Sequence, residues 1–151
     1  VDDNAINNAS MTGHLVFGTL HTMNAMKTVD RVVEIFPANQ QGQVRSTLAD
    51  ALRAVVSQTL FKRVDIKGRV AALEILICTA AVRNLIREGK TYQIPSIMQT
   101  GKKFGMQTLD DAIFELLEKK KISPEDAYTN SYEKARFLKY LRHQPSDFTE
   151  I

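Results

Sequence analysis

At 151 residues, with 44% hydrophobic and 25% charged residues, the chain is long enough to bury the core of one globular domain. Its formal charge of +3 is too small and too scattered to indicate a nucleic-acid surface. A single cysteine argues against a disulfide framework or a cysteine zinc site, and no apolar stretch reaches the ~18 residues of a membrane span. The first residues lack a basic region followed by an apolar one, so we expect no signal peptide and a reducing, cytoplasmic location.

The first part of the chain predicts helices around one strand. Residues 1–10 predict the tail of a helix. A strand is predicted over residues 14–20, because its apolar middle is near-continuous, as in a parallel strand buried on both faces. The next predicted helix covers residues 25–36 and is ended by Pro37, and a longer one covers residues 40–56.

A hairpin and a helical region are predicted next. Residues 57–64 predict a strand, residues 65–68 a turn and residues 69–77 the partner strand, which indicates antiparallel strands at the edge of a sheet. From residue 80 onwards the pattern is helical. The predicted helices cover residues 80–88, 94–100, 108–119, 124–128 and 133–141.

Two histidines flank the predicted strand and are candidates for a site. In open α/β sheets ligands bind beyond the carboxyl ends of the strands, so His21 is expected to meet a ligand. Its imidazole can hydrogen-bond a phosphate or polarise a water, and Thr19 and Thr22 add hydroxyls at the same edge. His14 lies seven residues earlier and would face the opposite side of a regular strand, which argues against joint metal ligation. A buried histidine satisfied by the backbone is the alternative.

Residues 81–88 predict an amphipathic helix with two arginines on one face. Arg83 and Arg87 are four residues apart, with Glu88 beside them. Two arginines so placed can hold a carboxylate or a phosphate. A solvated helix is the alternative, which periodicity alone favours. The buried side would carry Val82, Leu85 and Ile86.

The same octapeptide carries a resemblance to a known family. It differs only at Val82 from the AIRNLIRE motif of the type IV pilus retraction ATPases, the PilT family. Residues 13–22 resemble the histidine box of the wider secretion ATPase superfamily. Further family segments follow in order at residues 27–31, 35–37, 43–46, 58–60 and 105–110, so that the resemblance spans about residues 12–123. The motif comprises Ala81, Val82, Arg83, Asn84, Leu85, Ile86, Arg87 and Glu88.

This resemblance implies an α/β fold, namely the carboxyl half of a RecA-like P-loop ATPase domain followed by a helical carboxyl-terminal region. Residues 1–79 would be the partial ATPase core and residues 80–151 the helical region. Such domains assemble into hexameric rings that hydrolyse ATP with Mg²⁺ and drive pilus retraction and twitching motility. The resemblance also implies a cytoplasmic protein peripheral to the inner membrane, with the pilus platform protein as partner and no nucleic acid.

The resemblance assigns roles to the candidate residues. His21 would approach the γ-phosphate as a catalytic residue and report its state, with His14 supporting the same region. Thr22 would join His21 in nucleotide binding, and Arg31 would contact a phosphate or a neighbouring subunit. The motif at residues 81–88 would serve retraction by transmitting motion rather than by chemistry.

Parts of the family pattern are missing from this chain. No G-x-x-x-x-G-K-[ST] sequence occurs, so nothing here cradles the α- and β-phosphates, and the strand acid that organises Mg²⁺ is also absent. Both ATP and Mg²⁺ would therefore be held through parts of a longer parent protein, and we expect no ATP hydrolysis by the chain alone.

The single Cys78 disfavours relatives that carry a four-cysteine zinc insertion. The alternatives are a PilU-like paralogue, a type II secretion ATPase and a non-enzymatic module that binds pilus machinery.

Overall fold

The computed structural model describes residues 13–142, so the predicted helix tail at residues 1–10 lies outside the described residues. Two short 3-10 turns cover Thr91–Gln93 and Gly101–Phe104. Among the described residues, no helix is both long and apolar enough to cross a bilayer. The helices are α1 (Ala25–Glu34), α2 (Gln41–Ala51), α3 (Ala80–Arg87), α4 (Ile94–Thr100), α5 (Leu109–Glu118), α6 (Pro124–Asn130) and α7 (Lys134–Leu138), and the strands are β1 (Ala54–Lys62) and β2 (Arg69–Ile77).

The helices before the hairpin form where the apolar spacing predicts them. In α1, Ala25, Val29 and Val33 recur at four-residue spacing and are buried. The prediction for α2 is too long, because the backbone turns extended at Leu52, immediately after the last helical residue. The β-branched pair that follows, Val55–Val56, belongs to β1, where such side chains pack well.

The predicted hairpin is confirmed. β2 has the expected bounds, whereas β1 begins three residues and ends two residues before the predicted strand at residues 57–64. Backbone bonds close both ends of the hairpin. The Arg63 N–H donates to the Gly68 carbonyl at 3.0 Å, and the Cys78 N–H donates to the Arg53 carbonyl at 2.9 Å. The helices predicted after residue 80 are also confirmed, and their ends differ from the predicted ones by three residues at most.

The strand predicted over residues 14–20 is wrong. These residues form no regular structure, and the side chains of Leu15 and Phe17 are 78% and 89% exposed. A buried strand needs neighbours that pair with its backbone and helices that cover its faces. Within the part of the chain that the structure describes, the sheet consists of β1 and β2 only, and neither pairs with this segment.

The described residues form two compact units. One comprises residues 13–58 and 74–108, and the other comprises residues 59–73 and 109–142. The predicted boundary at residue 79, between a partial ATPase core and a helical region, comes from the family resemblance and not from contacts. It stays a prediction. Fully buried side chains include Val29, Leu76, Val82, Ile86 and Ile94 in the first unit, and Ile113 and Phe137 in the second.

Candidate functional site

His21 and Thr22 lie in the irregular segment directly before α1. The His21 side chain is exposed and makes no hydrogen bond within residues 13–142. The Thr22 and Thr28 hydroxyl oxygens are 2.6 Å apart, and Thr28 donates to the Asn24 carbonyl at 2.9 Å. Because the single hydroxyl proton of Thr28 is used there, Thr22 donates to Thr28. Thr22 thus ties the segment to the first turn of α1.

The start of α1 is held by two side-chain acceptors. Asn24 is its N-cap, and its Oδ1 accepts the Lys27 N–H at 2.8 Å. Glu74, from the middle of β2, accepts the Ala25 N–H at 2.7 Å although its side chain is only 8% exposed. A carboxylate is the favoured charge at this end of a helix, because the exposed N–H groups there carry partial positive charge. Glu74 therefore fixes the start of α1, and with it the end of the segment that carries His21.

The other residues expected at a nucleotide site, Arg31 and His14, are also exposed. Arg31 is exposed on α1 and makes no ion pair within the described range. It follows Ala25 by six residues, which places it about 9 Å further along the helix axis. His14 is exposed in the same irregular segment as His21.

The far side of α1 is tied to the turn that follows α3. Thr91, itself buried, donates its hydroxyl proton to Asp30 Oδ1 at 2.6 Å. A buried hydroxyl paired with a carboxylate is a charge-assisted bond, stronger than a neutral one. The helix that follows His21 is thereby linked to the chain that follows the octapeptide motif.

The motif at residues 81–88 forms α3 and packs against α2. Val82 and Ile86 are fully buried in the same core as Val44 and Leu48 of α2, and Leu85 is partly buried, as the sequence predicts. The apolar side of α3 thus packs in the core, and most of its polar side chains are exposed.

Gly89 ends α3 in a Schellman motif. The Lys90 N–H donates to the Leu85 carbonyl at 2.9 Å and the Gly89 N–H to the Ile86 carbonyl at 3.2 Å, with Gly89 at φ +68°. A Cβ at Gly89 would lie 3.4 Å from Nε of Arg45 on α2. Arg45 thus brings a cation to the C-terminus of α3, where the helix dipole favours it.

Arg87 and Glu88 of the motif have separate partners. Arg87 ion-pairs with Asp50 of α2 and also donates to Asn84 Oδ1 at 3.0 Å. Glu88 pairs with Lys90 at 2.7 Å. The two arginines therefore do not converge on one anion in this structure.

Arg83 is the motif residue whose polar atoms are least satisfied. Its Nε is buried and has no hydrogen-bond partner among the described residues. Burial raises the pKa of the Cys78 thiol to about 11, and the nearby charge of Arg83 opposes that shift. A half-buried guanidinium with an unused donor is unusual, because such groups are normally paired.

The described residues contain no candidate metal centre. Within residues 13–142, no three His, Cys, Asp or Glu side chains are grouped so as to hold a metal ion.

Sequence reasoning missed the residues that hold the site in place. The role of Glu74 could have been predicted from the sequence, because Glu74 is charged whereas the neighbouring inward positions of the same strand, Ala72 and Leu76, are apolar. No sequence pattern points to the roles of Asp30, Asp50 and Thr91, because their partners lie 37 or 61 residues away in the chain.

Comparisons with known proteins agree with the geometry. A family model described as Type II/IV secretion system protein matches residues 3–129. The chain is 56% identical over 119 residues both to a twitching motility protein of Neisseria gonorrhoeae and to the type IV pilus retraction ATPase PilT of Pseudomonas aeruginosa. These matches cover 79% of the chain and 32% and 34% of the relatives, so the chain spans about a third of their length. The identity to the type IV pilus ATPase PilU of Pseudomonas aeruginosa is 38%, over 80% of the chain and 31% of that protein.

A solved structure also resembles the chain. A crystal structure of the pilus retraction motor PilT with bound ADP aligns with a TM-score of 0.77 and 42% identity, over 88% of this chain and 37% of the other. The predicted resemblance to the retraction ATPases is confirmed by these matches. The predicted fold class, α/β with the carboxyl part of a RecA-like ATPase domain, is confirmed with it.

Proposed function

Because the chain belongs to the Type II/IV secretion system protein family, we propose that it is part of an ATP-driven motor that retracts type IV pili and powers twitching motility. The observation that carries this proposal is the 56% identity to a retraction ATPase over 119 residues. This aligned region includes the motif helix α3. Since the chain spans about a third of such relatives, the activity is proposed for a full-length protein.

His21 is the residue we assign to the γ-phosphate. Its imidazole is exposed and free of hydrogen bonds within the described residues, so it is available to a ligand from another part of the protein. Near neutral pH an imidazole can donate to a phosphate oxygen or accept from the attacking water. His14, in the same segment, supports the position of His21.

Thr22 and Arg31 contribute to the nucleotide site in different ways. The Thr22 hydroxyl proton is engaged by Thr28, so Thr22 positions His21 and offers lone pairs rather than a proton. Arg31 lies about two turns along α1 and has no ion pair among the described residues. That placement supports a contact from Arg31 to the nucleotide of a neighbouring subunit in a hexameric ring.

The remaining parts of the ATP site lie in segments that this chain lacks. The exposed His21 and Arg31 suit the phosphates of ATP, whereas the described residues show no set of ligands for Mg²⁺. When bound with ATP, Mg²⁺ neutralises charge on the phosphates. In this proposal residues 1–79 complete a nucleotide-binding core and residues 80–151 form the helical region. The ring would act in the cytoplasm, peripheral to the inner membrane, on the pilus platform protein.

The motif helix is proposed to transmit motion. Its buried side packs on α2, the Asp30–Thr91 bond links α1 to the turn after it, and Arg83 keeps an unused donor. Movement of the His21 segment would reach α3 through these bonds. The higher identity to PilT than to PilU, 56% against 38%, supports the retraction motor over an accessory paralogue.

Two variants of the full-length protein test this proposal. His21→Ala removes an exposed side chain, so the fold should persist while kcat for ATP hydrolysis drops by about 100-fold, as for a positioned acid–base group. Arg83→Ala should impair pilus retraction more than hydrolysis. Circular dichroism checks folding, and Glu34→Ala on the exposed side of α1 is the control. Wild-type turnover in a folded His21→Ala protein would overturn the role of His21. No hydrolysis by the full-length protein at all would favour a non-enzymatic module.

A further inference from the structure

The turn end of the β1–β2 hairpin exposes an unusual number of large apolar side chains. Leu60, Val64 and Ile66 are 56%, 59% and 58% exposed within a stretch of seven residues. Single exposed apolar residues are common on soluble proteins, whereas three of them within one short turn region, with charged residues between them, are a candidate contact surface.

Cationic residues alternate with these apolar residues along the chain. Residues 59–73 carry four of them, Lys62, Arg63, Lys67 and Arg69, against one carboxylate, Asp65. That carboxylate is already neutralised, because Arg63 donates to both of its oxygens at 2.8 and 2.6 Å. The net charge of the hairpin end is therefore positive.

A second basic segment lies against the hairpin. The Val64 N–H donates to the Lys121 carbonyl at 3.0 Å, so the run Lys119–Lys120–Lys121 adjoins the turn. Lys119 is paired with Glu115, and Glu118 offsets one of the two remaining lysines, so this helix end adds one net positive charge. The sequence predicts only a solvated helix end for this run.

The surface rests on a rigid base within one unit. Phe61 and Ala72 on the hairpin and Ile122 after the lysine run are buried in the same core. The exposed side chains are thus presented by a packed scaffold, and their exposure does not reflect a frayed end.

We propose that this hairpin patch, defined as Leu60, Lys62, Val64, Ile66, Lys67 and Lys121, docks on the surface of an anionic lipid bilayer. Aliphatic side chains enter the boundary between headgroups and acyl chains, while lysines beside them meet the lipid phosphates. A protein partner suits the composition less well, because protein interfaces are enriched in aromatic residues and depleted in lysine, whereas this patch has three lysines and no aromatic residue. This inference goes beyond the proposed function, which brings the motor to the membrane through a protein.

Vesicle co-sedimentation of the 151-residue chain tests the patch without nucleotide. The chain should sediment with phosphatidylcholine vesicles that contain phosphatidylglycerol, and not with phosphatidylcholine alone. Because each lysine near an anionic surface contributes about fivefold to partitioning, Lys67→Gln with Lys121→Gln should weaken binding about 25-fold. Val64→Ser with Ile66→Ser should also weaken binding, since both side chains are exposed and the fold is spared.

The matched control lies in the other unit, where exposed Phe104 follows Lys102 and Lys103. Phe104→Ser with Lys102→Gln should leave vesicle binding unchanged. Failure of the native chain to sediment with anionic vesicles overturns the proposal and directs the search to an acidic protein surface. Equal losses in the control and patch variants also overturn it. Neither result bears on ATP hydrolysis or retraction by the full-length protein.

Discussion

Glu74 is the single side chain on which the start of α1 depends most. It is buried on β2 and accepts the N–H of Ala25, which is completely buried. Water cannot replace this acceptor, because Ala25 is completely buried. A buried N–H left without a partner costs about 1–3 kcal/mol.

Removing this acceptor should destabilise the unit that holds α1. Glu74→Ala is expected to lower the free energy of unfolding by about 1–3 kcal/mol, whereas Glu74→Gln should retain most of it because the amide oxygen can still accept. Thermal denaturation measures the change. Alkylation of Cys78, a buried thiol in the same core as Ala25, provides a second readout and should accelerate in the Ala variant.

Exposed Glu34 on α1 supplies the control for this prediction, and Glu34→Ala should not lower stability. If Glu74→Ala melts at the same temperature as the native chain and protects Cys78 equally, then Glu74 does not hold the helix start.

At the scale of elements, α2 and α3 behave as a pair. They share a buried core, Arg87 of α3 pairs with Asp50 of α2, and Arg45 of α2 lies over the Gly89 turn that ends α3. An exposed ion pair contributes little by itself, about 0–1 kcal/mol. The apolar core and the helix end therefore account for most of the attachment of α3.

The turn at Gly89 gives a prediction at this scale. Gly89→Ala forces a side chain into a left-handed conformation, which costs about 1–2 kcal/mol, and should lower the melting temperature by about 2–8 °C. Gly42→Ala in α2 is the matched control, because a Cβ there meets nothing within 4 Å and alanine favours helix. Equal stability of the two variants would show that the Schellman turn does not anchor α3.

At the scale of the whole molecule, the chain carries one part of an ATP site. His21 is present and exposed, whereas the phosphate-binding loop sequence is absent from the 151 residues. Phosphoryl transfer depends on positioning and on neutralising charge on the phosphates, and a lone imidazole supplies neither in full.

The chain by itself should therefore show no ATP hydrolysis above background. The full-length protein, assayed beside it with Mg²⁺, should hydrolyse ATP. Phosphate release in a coupled assay measures both. The expectation is wrong if the isolated chain turns over ATP and His21→Ala abolishes that turnover.

Elements governed by local patterns could be predicted from the sequence. The hairpin follows from two strand patterns around Asp65–Gly68, and α1 and α3 follow from apolar residues three and four apart. The end of α2 could not be predicted, because Leu52 and Val55 suit a helix stripe and a strand equally. The exposed segment at residues 14–20 could not either, since an apolar run becomes a strand only beside neighbours that pair with it.

The sequence alone determined the family, the fold class and the motif helix, because these depend on residue order and short-range spacing. Only the tertiary structure decided which groups hold the site. Glu74 reaches Ala25 across 49 residues, and Thr91 reaches Asp30 across 61. The Val64 N–H reaches the Lys121 carbonyl, although β2, α3, α4 and α5 lie between them in the chain. Such contacts depend on how distant segments pack, and packing energies are set by neighbours in space that no local pattern specifies.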